Sequence, residues 1–203
     1  MFTGIVDHCG VITAITHSSN GIRLSISNHF TDLTLGESIC VDGVCLTVTQ
    51  FESNYFNCDL SPETLRLTLA KNYCVGDSVN LERSMRLSDR LGGHMVTGHA
   101  DGIVRVKTVE MHNEFVCCEF FEIEKSHSLL LTPKGSVCIN GVSLTINSAD
   151  PDFFSVMLIP HTLQRTNLHQ LKQNNYVNVE YDYLAKLVQR NLSHYNLGDK
   201  HAN

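Results

Sequence analysis

GESICVDGVCLTV, Gly36 to Val48, returns as GSVCINGVSLTI, Gly135 to Ile146, once one residue is allowed at its start. Thr47 and Thr145 stand 98 positions apart, and the same offset pairs Cys45 with Ser143, Thr64-Leu65 with Thr162-Leu163, Thr68 with Thr166, and VNLE from Val79 with VNVE from Val177. Self-similarity at a fixed spacing means that one supersecondary unit is used twice. Upstream, Met1-Phe2-Thr3-Gly4 is echoed by Met95-Val96-Thr97-Gly98, at an offset of 94. Two tandem modules therefore meet near residues 84 to 94.

Each module reads as short strands. ICVDGVCLTVTQF, YFNCDL and SVNLE in the first, and GIVRVKTV, FVCCEFF, SVCINGVSLTI and FFSVMLI in the second, are rich in β-branched and aromatic residues. Asp42-Gly43 and Asn140-Gly141 are tight-turn dipeptides, since both residue types tolerate positive φ, and they place hairpins at matching points. About six strands per module suggest small closed barrels, which leave no exposed sheet edge. SPETLRLTLA and PHTLQRTNLHQ predict a helical turn over each barrel. From Tyr183 to Tyr195, Leu184, Leu187, Val188 and Leu192 form one helical stripe opposite Lys186, Gln189 and Arg190. That helix has no internal counterpart, and its stripe reads either as an oligomer contact or as a face packed on its own barrel. The expected division is a first barrel over 1–90, a second over 91–183, and a helix with tail over 184–203.

With 203 residues, 42% of them hydrophobic, the chain can bury two cores of about 100 residues each. A net charge of -6 without long charged runs provides no footprint for nucleic acid. The opening residues do not read as a secretory signal and no stretch approaches the ~20 apolar residues of a membrane span, so a soluble, cytoplasmic protein is expected. The eight cysteines (Cys9, Cys40, Cys45, Cys58, Cys74, Cys117, Cys118 and Cys138) include no C-x-x-C pair, which encourages neither zinc nor a disulfide framework. Most of them are expected to be reduced core residues.

Six segments in order, MFTGIV, DGVCLTV, SPETLR, SDRLGGHMVTGHADG, PKGSVCINGVSLTI and IPHTLQRTNL, resemble the riboflavin synthase family, and the likeness runs from Met1 to about Leu192. The resemblance implies an all-β fold of two tandem six-stranded Greek-key barrels from an internal duplication, plus a C-terminal α-helix that trimerises. It implies a dismutation in which two molecules of 6,7-dimethyl-8-ribityllumazine exchange a four-carbon unit, giving riboflavin and 5-amino-6-ribitylaminouracil. Neither a redox cofactor nor a metal is implied. The facing pair of sites would come from the first barrel of one subunit and the second barrel of its neighbour, and lumazine synthase is a further expected partner.

The resemblance also suggests residues. The reaction removes a proton from the C7 methyl of one lumazine and activates the other, which directs attention to His99 in MVTGH, to Cys45 in DGVCLTV, to its repeat partner Ser143, and to Ser38. The first pocket is expected to use Cys45, Leu46 and Thr47, then Asp59, Leu60, Ser61, Pro62, Glu63 and Thr64, with Gly98, His99 and Ala100. The second is expected to use Gly4, Ile5 and Val6, then Lys134, Ser143, Leu144 and Thr145, with Met157, Leu158, Ile159, Pro160, His161 and Thr162. Asp42 before the first turn glycine and Asn140 before the second reverse the family's usual order. His94, five residues from His99, lacks the company a metal ligand wants and reads as a satisfied structural histidine. The rival from another class is a non-catalytic lumazine- or flavin-binding antenna protein, against which the retained Cys45, His99 and Ser143 argue.

Overall fold

The computed structural model describes residues 1–198, of which 194–198 are described by backbone alone. Twelve strands form two closed antiparallel barrels. In the first, β1 (His8–Ser18), β2 (Gly21–Ser27), β3 (Ser38–Val41), β4 (Val44–Phe51), β5 (Tyr55–Leu60) and β6 (Ser78–Arg83) lie in the order β1-β2-β5-β4-β3-β6. In the second, β7 (Gly102–His112), β8 (Phe115–Phe121), β9 (Ser136–Ile139), β10 (Val142–Asp150), β11 (Phe153–Leu158) and β12 (Tyr176–Tyr181) repeat that Greek-key order strand for strand. The 98-residue repeat is thus a repeat of topology. The expected fold class holds, down to a closing helix, α3 (Tyr183–Gly198). The last five residues of the expected tail, 199–203, lie outside the described residues.

Alternation along each strand fills the barrels. Ile39 and Val41 on β3 and Val44, Leu46 and Val48 on β4 point into the first core, with Phe56 and Leu81 beside them. Val137, Ile139, Val142, Leu144 and Ile146 do the same in the second, against Phe120 and Phe154 stacked at 5.1 Å. The β3–β4 and β9–β10 turns are type I′: Asp42 and Gly43 take φ of 45° and 83°, and Asn140 and Gly141 take 44° and 80°. The turns touch, for a Cβ on Gly43 would lie 2.9 Å from the Gly141 nitrogen.

Ser-Pro starts α1 (Pro62–Leu67), where the Ser61 hydroxyl accepts from the Thr64 N–H. Pro160 starts α2 (Pro160–Arg165) without a side-chain cap. Between the barrels runs a buried polar seam. Asp42 accepts from the Asn80 N–H, the Asn167 amide and the Tyr73 hydroxyl, while Asn80 and Asn178 donate to the backbone carbonyls of Asn140 and Asp42. Burial pushes the Asp42 carboxyl up to about 7, against the pull of those donors. All eight cysteines are free thiols; Cys40, Cys58, Cys118 and Cys138 are buried, and Cys74 is exposed.

Candidate functional site

The two Met-x-Thr-Gly segments lie outside their barrels as straps, and each is anchored by the glutamate that ends its module's VNLE or VNVE run. Glu82 accepts from the Thr3 N–H and hydroxyl at 2.7 Å and from the Gly4 N–H at 3.0 Å. Glu180 accepts from the Thr97 N–H and hydroxyl at 2.7 Å, from the Gly98 N–H at 2.9 Å and from the His99 N–H at 3.1 Å. Such charge-assisted bonds to buried backbone fix the strap firmly. The straps pair with each other at the centre of the molecule, Phe2 against Val96.

Each strap then crosses to the other barrel. Gly98 O accepts from the Cys45 N–H at 2.7 Å, and Gly4 O accepts from the Ser143 N–H at 2.8 Å. Glycine is required at both crossings. Both residues have φ near +75°, and an added Cβ would lie 2.7 Å from Cys45 Cβ or 2.5 Å from Ser143 Cβ. Val6 continues past Gly4 into the core of the second barrel. The structure therefore brings together Cys45 with Gly98 and the following His99 and Ala100, and Ser143 with Gly4, Ile5 and Val6, in the groupings that the sequence suggested.

The two centres are not alike. Ser143 Oγ lies 2.6 Å from His94 Nδ1, and His94 is buried. Burial lowers the His94 pKa, while the carboxylates of Asp182 and Glu180 pull it back upward, so the ring is neutral near pH 7. Its Nε2 is buried without a hydrogen-bond partner. The expectation of a satisfied structural histidine is corrected here: one ring nitrogen holds the Ser143 hydroxyl and the other is left unpaired inside the protein. Space for the pair comes from Gly93, where a Cβ would lie 2.7 Å from Ser143 Oγ. Asp182, which also caps the first turn of α3 through the Leu184 N–H, joins this centre and was not singled out from the sequence. Cys45 has no such companion. It is half-buried against Phe2, Val96, Cys40 and Cys138.

Other expected residues take varied places. Ser38 pairs with Thr47 across β3 and β4, on the outward face that also carries Cys45. The side chains of Leu46, Leu60, Leu144 and Leu158 lie in the cores, which leaves only their backbone for a ligand. Asp59 is engaged by Arg23 in a two-pronged pair of 2.6 and 2.9 Å, beside a cavity of about 340 Å³ shared with Thr16 and Ser18. Glu63 pairs with Arg66 one helical turn on. Thr47, Thr145, Ile159 and His161 are exposed, with Met157, Pro160 and Thr162 partly covered. Lys134 is exposed at a left-handed turn, φ 69°, where its N–H donates to Ile146 O.

Comparison with known proteins bears on these paired centres. The lumazine binding domain model matches twice, at residues 3–84 and 97–182. Riboflavin synthase of Bacillus subtilis is 38% identical over 194 residues, covering 94% of this chain and 89% of the relative. The chain belongs to the riboflavin synthase family. A second member of that family, riboflavin synthase of Photobacterium phosphoreum, is 37% identical with 94% and 88% covered. Among solved structures, LumP complexed with 6,7-dimethyl-8-(1'-D-ribityl) lumazine superposes with a TM-score of 0.78 at 26% identity, covering 89% of this chain and 98% of that one. LumP complexed with riboflavin gives 0.81, also at 26% identity, covering 89% and 99%. Both strap motifs and both hairpins lie in or beside the two matched segments, so the geometry above is that of a duplicated lumazine-binding domain.

Proposed function

We propose that the chain catalyses the dismutation of two 6,7-dimethyl-8-ribityllumazine molecules, by four-carbon transfer, to riboflavin and 5-amino-6-ribitylaminouracil. The observation that carries this reading is the pair of strap-and-hairpin centres, Cys45 with Gly98 and Ser143 with Gly4. They are alike in backbone and unlike in the reactive side chain. Two like cradles suit two copies of one substrate, and two unlike groups suit the two parts those copies play.

Strand-end hydroxyls and backbone amides around Thr47 and Thr64, and around Thr145 and Thr162, would read the ring edges and the ribityl chain. Neutral His94 would draw the Ser143 proton as the oxygen engages the ring, while exposed His99 and Cys45 would serve the second copy. Holding two reactants in register is worth up to about 7–11 kcal/mol of barrier, so positioning supplies much of the rate.

On this reading the apolar stripe of α3, with Leu184, Val188 and Leu192 each more than half exposed, makes a homotrimer. The first barrel of one subunit then faces the second barrel of its neighbour. The functional division is 1–90, 91–183 and 184–203, the protein is cytoplasmic, and association with lumazine synthase follows the family. No helix among the described residues is long and apolar enough to cross a membrane.

The test is incubation of purified protein with the lumazine alone, with products separated by chromatography. Two substrates consumed per riboflavin formed is the expected result. Tight binding without turnover would instead make the protein a non-catalytic lumazine-binding antenna.

A further inference from the structure

We propose that Cys45 and Cys40 are a redox pair, oxidised by hydroperoxides to a disulfide that shuts the first-barrel centre and reopened by thiol reductants. In the β3–β4 hairpin, Val41 pairs with Val44 across the Asp42-Gly43 turn, and the next rung is Cys40 opposite Cys45. Directly opposed residues share a face, so both thiols point outward from the barrel toward the strap. The Cys45 N–H donates to Gly98 O and not to its strand partner. The rung is therefore of the non-hydrogen-bonded kind, in which Cα atoms approach to about 4.5 Å, inside the ~4.4–6.8 Å range that a disulfide spans.

Exposure sets the order of events. Cys40 and Cys138 are each 1% exposed in one cluster with Phe2 and Val96, whereas Cys45 is only half-buried at its edge. Burial also pushes the Cys40 and Cys138 thiols well up, so neither is the thiol that meets the oxidant first. The Cys45 sulfur attacks the peroxide: an S–O bond forms, the O–O bond breaks, and water or an alcohol leaves with the thiol proton. Cys40 then attacks the sulfenic sulfur: the S–S bond forms, the S–O bond breaks, and the hydroxyl leaves as water with the Cys40 proton. Two thiols have given two electrons to one peroxide. In the second barrel the same rung is Cys138 opposite Ser143, where a hydroxyl replaces the reactive thiol, so the switch is one-sided.

The experiment treats the full chain with hydrogen peroxide, blocks remaining thiols with N-ethylmaleimide, and digests with a protease that cuts before aspartate. Cleavage before Asp42 puts Cys40 and Cys45 on separate fragments, and sequencing the linked pair by mass fragmentation places the bridge on Cys45 and not on Cys58, which shares the second fragment because the next cut falls before Asp59. The expected result is a linked pair of these fragments, two hydrogens lighter than the free pair, which dithiothreitol separates. Cys138→Ala should keep the link. Cys40→Ala should lose it and accumulate Cys45 sulfinic acid that dithiothreitol does not reverse. A link from Cys40 to Cys138, or unlinked over-oxidised Cys45 in the unaltered protein, would overturn the proposal. The consequence for turnover rests on the function proposed above: oxidation should lower riboflavin formation at least tenfold, reversibly in the unaltered protein and irreversibly in Cys40→Ala. The fragment masses need no turnover, so failure of the switch and failure of the function are read separately.

Discussion

The two barrels share strand order, turn type and strap anchoring, yet they differ where chemistry would occur. In the second barrel a hydroxyl, Ser143, sits 2.6 Å from a buried neutral histidine with carboxylates beyond it. In the first, a thiol, Cys45, packs among Phe2, Val96, Cys40 and Cys138 with no hydrogen-bonded histidine among the described residues. Duplication kept the backbone that cradles a ligand, since hairpin, glycine crossing and glutamate anchor must all work together for either to form. It left free the residues that, on the proposed function, would touch only the ligand. Asymmetry of this kind lets one fold treat two copies of one molecule differently.

The largest expected effect comes from removing what would join the unlike halves. Truncation after Tyr183 should abolish riboflavin formation and reduce the sedimenting species to a monomer, while the circular dichroism of the barrels persists. Full turnover by a monomer would refute the shared site. Next comes the second-barrel pair. His94→Ala should lower turnover by about 10²–10⁴-fold, and the double variant with Ser143→Ala should be little worse than either single one if the two act as a unit. Because burial lowers the His94 pKa, the acid limb of the pH profile should fall below the ordinary value of 6.5. Equal, additive losses from Cys45→Ala and Ser143→Ala, with the acid limb unmoved, would erase the difference between the barrels.

A smaller effect sharpens the same comparison at the seam. Asp42 is buried where the second barrel has Asn140, and its carboxyl is pushed up to about 7 from 3.8. The folded protein thus keeps a proton that the unfolded chain releases. Stability from this group is full below about pH 4 and is lost as pH rises through about 7. Asp42→Asn should remove that dependence, so the variant gains on the parent by on the order of a few kcal/mol between pH 5 and 8 in urea melts. An unchanged difference across that range would contradict the assignment. The smallest effect is expected from Cys117→Ala, whose thiol lies outside both centres: turnover within twofold and a stability change of about 0.5 kcal/mol.

Much of this was legible because the repeat is written in residues with backbone duties. Asp42-Gly43 and Asn140-Gly141 announce their turns, and the echo of Met1–Gly4 in Met95–Gly98 marks where the second module begins, though not that the two segments are straps. Glu82 and Glu180, which close the VNLE and VNVE runs, proved to be the anchors, a role no local pattern reveals because their partners lie 78 to 83 residues away. His94 was misread for the same reason. Its partner Ser143 is 49 residues distant, and only the crossing of strap and hairpin brings them together. Asp182 carries no motif in sequence, and both its bond to the Leu184 N–H and its relation to His94 come from the fold. Leu46, Leu60, Leu144 and Leu158 mark the converse limit. A motif names the segment that passes a site, and the alternation of the strand decides which of its side chains turn away.

Whether the unlike barrels complete each other across subunits is tested most directly by co-refolding Cys45→Ala chains with Ser143→Ala chains. Random assembly leaves about a quarter of the facing pairs with both groups intact, so a mixture of two nearly inactive proteins should recover about a quarter of the parental rate. Recovery to that level is the predicted result; a mixture no more active than its two components would contradict it.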